Sequence, residues 1–112
     1  MRKLLVLVLA AGLTAALAAS ALAATRTVKI GDNYFVRPSG VPKVTVSKGT
    51  TVKWVWRGRS IHNVRVKSGP TRFQSTGKTS GSFSRKLTRR GTYVVYCAIH
   101  GARDQSMRLV VQ

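Results

Sequence analysis

From Thr25 onward the chain changes character every few residues. Short runs rich in Val, Thr, Tyr and Trp recur at 27–30, 41–46, 51–56, 63–66, 81–87, 92–97 and 107–111, with Gly, Pro or Ser recurring between them. β-branched and aromatic residues suit a pleated, half-buried surface, and Gly and Pro mark the turns between such surfaces. No apolar spacing of three and four persists long enough to make a helix. Several runs alternate: Val52, Trp54 and Trp56 share one face against Lys53 and Arg57, and Met107, Leu109 and Val111 share one against Arg108. The expectation is an all-β domain, an antiparallel sandwich or small barrel of seven to eight short strands. Residues 67–80, with Gly69, Pro70 and Gly77, read as a loop with no clear element.

The first 23 residues do not belong to this pattern. Arg2 and Lys3 precede an almost unbroken run of Leu, Val and Ala, and Ala21-Leu22-Ala23 supplies small residues at the positions a signal peptidase reads. This is the three-part pattern of a cleaved signal peptide, with an uncleaved membrane anchor as its rival. The expected organisation is a signal peptide at 1–23 and one domain at 24–112. The protein is then exported: periplasmic, extracellular or held at the cell surface. In such a compartment cysteines are expected in disulfide pairs, yet Cys97 is the only cysteine in the chain. It is either buried and inert or protected and used.

Cys97 has company. It stands in Tyr96-Cys97-Ala98-Ile99-His100-Gly101, so a thiolate and an imidazole lie three residues apart just after a strand. His62, the other histidine, stands at an earlier strand edge, and Met107 follows. One Cys, two His and a thioether are the ligand set of a type 1 copper site. Thiolate and imidazole suit both Cu(II) and Cu(I), and a weak axial donor tunes the balance. A closed structural zinc site would need a fourth Cys or His, and a catalytic one would have only Asp104 nearby as a base. Two histidines are too few for oxygen reduction at several coppers. Both are better explained as ligands than as parts of a Ser-His-Asp hydrolase, so no enzyme activity is expected.

Trp54-Val55-Trp56, Ile61-His62-Asn63-Val64, Gly91-Thr92-Tyr93 and Tyr96-Cys97-Ala98-Ile99-His100 together resemble the plastocyanin-like cupredoxins. The likeness runs from about Val28 to Val111. It implies a Greek-key β-sandwich with one copper ion at one end and single-electron transfer as the function. It also implies His62, Cys97 and His100 as equatorial ligands, and Asn63 as a residue whose side chain ties the two ligand-bearing loops together. A docking patch for partners would lie beside the second histidine, at Ile99, Gly101 and Ala102. The axial position departs from the family pattern. Cys-x2-His-x4-Met would place the ligand at Gln105, whereas Met107 comes two residues later. Met107 is the expected axial ligand on donor softness, with Gln105, which the family spacing favours and which is an oxygen donor of the kind stellacyanin-like proteins use, as the alternative. Both share a strand face, so parity does not separate them.

Charge narrows the partners. The chain carries 20 Lys and Arg against two acids, Asp32 and Asp104, for a net +18. Losing 1–23 removes only Arg2 and Lys3, so the domain keeps +16. Two carboxylates are too few for a glycosidase pair or a Mg²⁺ or Ca²⁺ cluster unless both converge. A field of one sign speeds encounter with an oppositely charged partner. The candidates are an acidic redox protein, anionic membrane headgroups or a cell-wall polymer. Nucleic acid stacking on Trp54, Trp56 and Phe73 is the formal alternative, and export counts against it. The expected protein is a monomeric exported electron carrier. Its rivals are a copper storage or delivery module and a basic β-domain that binds anionic surfaces. Asp104 is expected in a loop, paired with an arginine.

Overall fold

A computed structural model of the chain describes residues 24–112; the expected signal peptide lies outside them. Eight strands form among the described residues: β1 (Thr25–Gly31), β2 (Tyr34–Phe35), β3 (Lys43–Val46), β4 (Thr51–Trp56), β5 (Arg65–Ser68), β6 (Ser82–Lys86), β7 (Gly91–Tyr96) and β8 (Ser106–Val111). They make two four-stranded sheets, ordered β2-β1-β4-β6 and β3-β8-β7-β5. The fold is a Greek-key β-sandwich. The sheets are mixed rather than wholly antiparallel, because β1 runs parallel to β4 and β3 parallel to β8. The chain crosses between sheets after each strand from β2 to β6, and such crossings bring strands of like direction side by side.

Period-two burial built the strands where the sequence alternates. In β4, Val52, Trp54 and Trp56 are buried and Lys53 is exposed; in β8, Met107, Leu109 and Val111 are buried and Arg108 is exposed. Val28, Ile30, Val44, Val95 and Tyr93 complete the interior from the other strands. Trp54 is its largest fully buried side chain, its ring 5.7 Å from Phe73 and 6.0 Å from Phe83. Two of the edge strands are rich in exposed charge. In β6 four of five residues are exposed, Arg85 and Lys86 among them, and in β5 Arg65 and Lys67 are exposed. Charged side chains on an edge discourage pairing with another sheet.

Two boundaries differ from expectation. The run at 63–66 becomes a strand only at Arg65, because His62, Asn63 and Val64 are buried in succession and break the alternation. The segment 67–80 is more than a loop. Lys67 and Ser68 finish β5, Arg65 bridges Gln74 and His62 bridges Lys78, and Phe73 is carried into the core.

One end of the sandwich gathers three connections. The β1–β2 hairpin turns through Asp32 and Asn33, and Asn33 takes φ 68°, a left-handed value that asparagine tolerates well. The β4–β5 loop holds residues 57–64, and the β7–β8 loop holds 97–105. Arg57 N–H bonds to Ile30 O at 2.8 Å, fixing the first two connections side by side.

Candidate metal centre

The β7–β8 loop is two tight turns in series. Gly101 N–H donates to Cys97 O at 2.8 Å, and Gln105 N–H donates to Gly101 O at 3.0 Å. Gly101 makes the junction possible with φ 90°. The first turn folds His100 back over Cys97, so His100 Nδ1 lies 3.4 Å from Cys97 Sγ. His62 arrives from the β4–β5 loop. Its N–H and C=O pair with Lys78, each at 2.9 Å, and its carbonyl also accepts the Trp56 indole N–H at 3.0 Å. These bonds aim its ring inward, with Nδ1 3.2 Å from His100 Nδ1. His62 and Cys97 are wholly buried, and His100 is half-buried. One donor atom from each of His62, Cys97 and His100 lies within 4.8 Å of the others.

Hydrogen bonds hold this triangle from outside. Asn63 Oδ1 accepts the Ala98 N–H at 2.7 Å, joining the loop of His62 to the loop of Cys97 and His100. His62 Nε2 lies 2.9 Å from Asp32 Oδ1. The His62 hydrogen bond, with those from the Arg59 and Ser60 amides, holds the Asp32 carboxyl well below the usual carboxylate range.

The two axial candidates sit on different rungs. Cys97 N–H donates to Gln105 O at 3.1 Å, one step beyond the Tyr96–Ser106 pair, so Gln105 stands across from Cys97. Met107 stands across from Val95, two residues further into the sandwich. Both are buried. Gln105 Nε2 donates to Gly31 O at 3.3 Å and to Tyr34 O at 3.1 Å. Carbonyls only accept, so the amide is oriented with its nitrogen toward them. Gln105 Oε1 is buried with no partner; Trp54 Nε1 is the other such side-chain atom among the described residues. An unpaired buried amide oxygen costs about 1–3 kcal/mol.

Comparison with known proteins decides the family. The profile of the copper-binding proteins of the plastocyanin/azurin family matches residues 24–112. The chain belongs to that family. Among solved structures it is similar to a methionine-to-glutamine mutant of amicyanin in the Cu(I) state. The two are 26% identical with a TM-score of 0.65, over 79% of this chain and 82% of that one. A methionine-to-alanine mutant of amicyanin, also Cu(I), gives 25% identity and a TM-score of 0.66 over 85% of this chain and 89% of that one. A copper-containing nitrite reductase from Thermus scotoductus SA-01 shares the fold at 22% identity and a TM-score of 0.63. That match covers 79% of this chain and 22% of the reductase.

For a plastocyanin/azurin-family chain the cofactor is copper, and the residues present fit it. A soft sulfur and two imidazole nitrogens converge, which is the donor set of a type 1 centre. Bonds of about 2.0–2.3 Å, usual for nitrogen and sulfur on a comparable ion, put trigonal donors roughly 3.5 Å apart, close to the two separations seen here. No carboxylate joins the cluster. Asp104 is exposed in the β7–β8 loop and has no arginine partner among the described residues, against expectation.

Beside His100, Ile99 is 47% exposed, and Gly101 and Ala102 are half-buried. Sequence reading missed two neighbours of this patch. Ile61 is equally exposed, and a Cβ placed on Gly77 would sit 3.0 Å from Ile61 Cδ1 and 3.5 Å from Ile99 Cδ1. It also missed Asp32 as a neighbour of His62. The available signal was an Asp-Asn turn dipeptide closing a run of strand residues.

Proposed function

We propose that the protein is an exported one-electron carrier with a single type 1 copper ion held by His62, Cys97 and His100. In this reading Gln105 Oε1 is the weak fourth donor and Met107 the alternative. When bound, copper supplies the redox chemistry by gaining or losing one electron. The observation that carries the reading is how firmly the chain fixes the three donors. His62 is held through its backbone by Lys78 and Trp56 and through its ring by Asp32. Cys97 and His100 are held by the Gly101 turn and by Asn63. A carrier needs a site that moves little between Cu(II) and Cu(I), and tethers of this kind resist movement. A storage protein has no such requirement.

Support for Gln105 over Met107 is its rung across from Cys97 and its unpaired oxygen. His100 is the most exposed of the three ligands, so it is the proposed point of electron entry and exit. Ile99, Gly101 and Ala102, with Ile61 and Gly77, form the proposed docking surface around it. The +16 domain favours an acidic redox protein as partner, with membrane headgroups or a cell-wall polymer as other anionic surfaces it could meet. Trp54, Trp56 and Phe73 are buried and offer no stacking face to bases, which counts against the nucleic-acid alternative.

Stoichiometric reduction and reoxidation of the copper-loaded protein tests this function. A carrier takes one electron per copper, returns it, and keeps the ion through repeated cycles. Release of copper on reduction would mark a delivery protein instead. A chain that takes up no copper would leave only the anion-binding module.

A further inference from the structure

Asp32 is one of two acids in the chain, and it is the one that touches a proposed ligand. Its position is built rather than incidental. Asp32 Oδ1 accepts the Ser60 N–H at 2.9 Å, and both carboxylate oxygens accept the Arg59 N–H at 3.1 Å. Gly58 leaves the space for this: a Cβ there would overlap the Asp32 carboxylate and come within 2.9 Å of its backbone nitrogen. From the other side, Gln105 Nε2 grips the carbonyls of Gly31 and Tyr34, the residues that flank the turn. The hairpin tip is therefore clamped between the β4–β5 and β7–β8 loops, with the carboxylate against His62.

The chemistry follows from the donor inventory. An ionised carboxylate only accepts, so a neutral His62 ring, the form that can bind a metal, carries its hydrogen on Nε2 and leaves Nδ1 a bare lone pair. Nδ1 is the atom that faces His100 Nδ1 at 3.2 Å. A negative charge on the far side of an imidazole also makes its free nitrogen a stronger donor. A stronger donor favours Cu(II) over Cu(I), against the opposite pull of a +16 domain.

We propose that Asp32 is a positioning residue for the copper centre: it fixes His62 as the Nε2–H tautomer with Nδ1 free, and it biases the centre toward Cu(II). The proposal rests on the copper-carrier reading, but half of its test needs no copper. In the copper-free protein, nitrogen–proton NMR of the His62 ring should show hydrogen on Nε2 alone. A ring carrying it on Nδ1, or a mixture of the two, would overturn the proposal. In the copper-loaded protein, Asp32→Asn keeps an acceptor for His62 but removes the charge, and its reduction potential should rise. Asp32→Ala also frees the ring, so it should lose about 10–100-fold in Cu(II) affinity. Asp32→Asn that folds, binds copper and shows the parental potential would also overturn it. If the parent protein takes up no copper, the carrier reading has failed, and the tautomer measurement still decides the positioning half.

Discussion

Gln105 stands directly across the strand ladder from Cys97, its carbonyl accepting the Cys97 N–H at 3.1 Å. Met107, the softer donor, is two rungs deeper, across from Val95. Directly opposed residues present their side chains on the same face, so Gln105 shares the level of the thiolate. If its amide oxygen is the axial donor, Gln105→Met should raise the reduction potential and change the copper spectrum, because a thioether favours Cu(I) more than an amide oxygen does. Met107→Leu, a nearly volume-conserving swap in the core, should leave the spectrum as it was and cost less than about 1.5 kcal/mol of stability. Potentiometry and absorption spectra of the two variants check this; the reverse pattern would assign the axial role to Met107.

Asn63 is the only side-chain link between the His62 loop and Ala98 among the described residues. Asn63→Ala should lower stability by about 1 kcal/mol, the usual net worth of such a hydrogen bond. The larger effect should fall on the metal, with copper affinity down by about 10–100-fold as the two loops lose their common tether. Denaturant unfolding and competition with a chelator measure the two effects separately. Unchanged affinity in a destabilised variant would reduce Asn63 to a structural role.

The strong strands were legible because β4 and β8 each bury one face, and that writes a period of two directly into the sequence. β2 was not, because Tyr34–Phe35 is too short to show any period. The parallel pairing of β1 with β4 was hidden for another reason: register between distant strands is set by crossovers, and spacing along the chain does not record them. The Cys97–His100 pair was readable because one turn joins them. Asp32 was invisible, since its partner lies 30 residues away and meets it only when the hairpin tip folds over the β4–β5 loop. Ile61 and Gly77 were missed similarly, because their segment carries no periodic element.

The charge makes a prediction that needs no knowledge of the natural partner. With +16 on the domain, electron exchange with an anionic small-molecule redox reagent should slow as ionic strength rises, because salt screens the attraction. Exchange with a cationic reagent should quicken. Stopped-flow rates at several salt concentrations check both slopes. Equal slopes for the two reagents would mean that the charge does not reach the site where electrons cross.

The most direct test of the account is the absorption spectrum of the purified domain, residues 24–112, titrated with Cu(II). The predicted result is an intense blue or green band that saturates at one copper per chain. It should be lost in Cys97→Ser, because the band requires the thiolate bond to copper. A folded protein that stays colourless at saturating copper, or a Cys97→Ser variant that keeps the band, would contradict it.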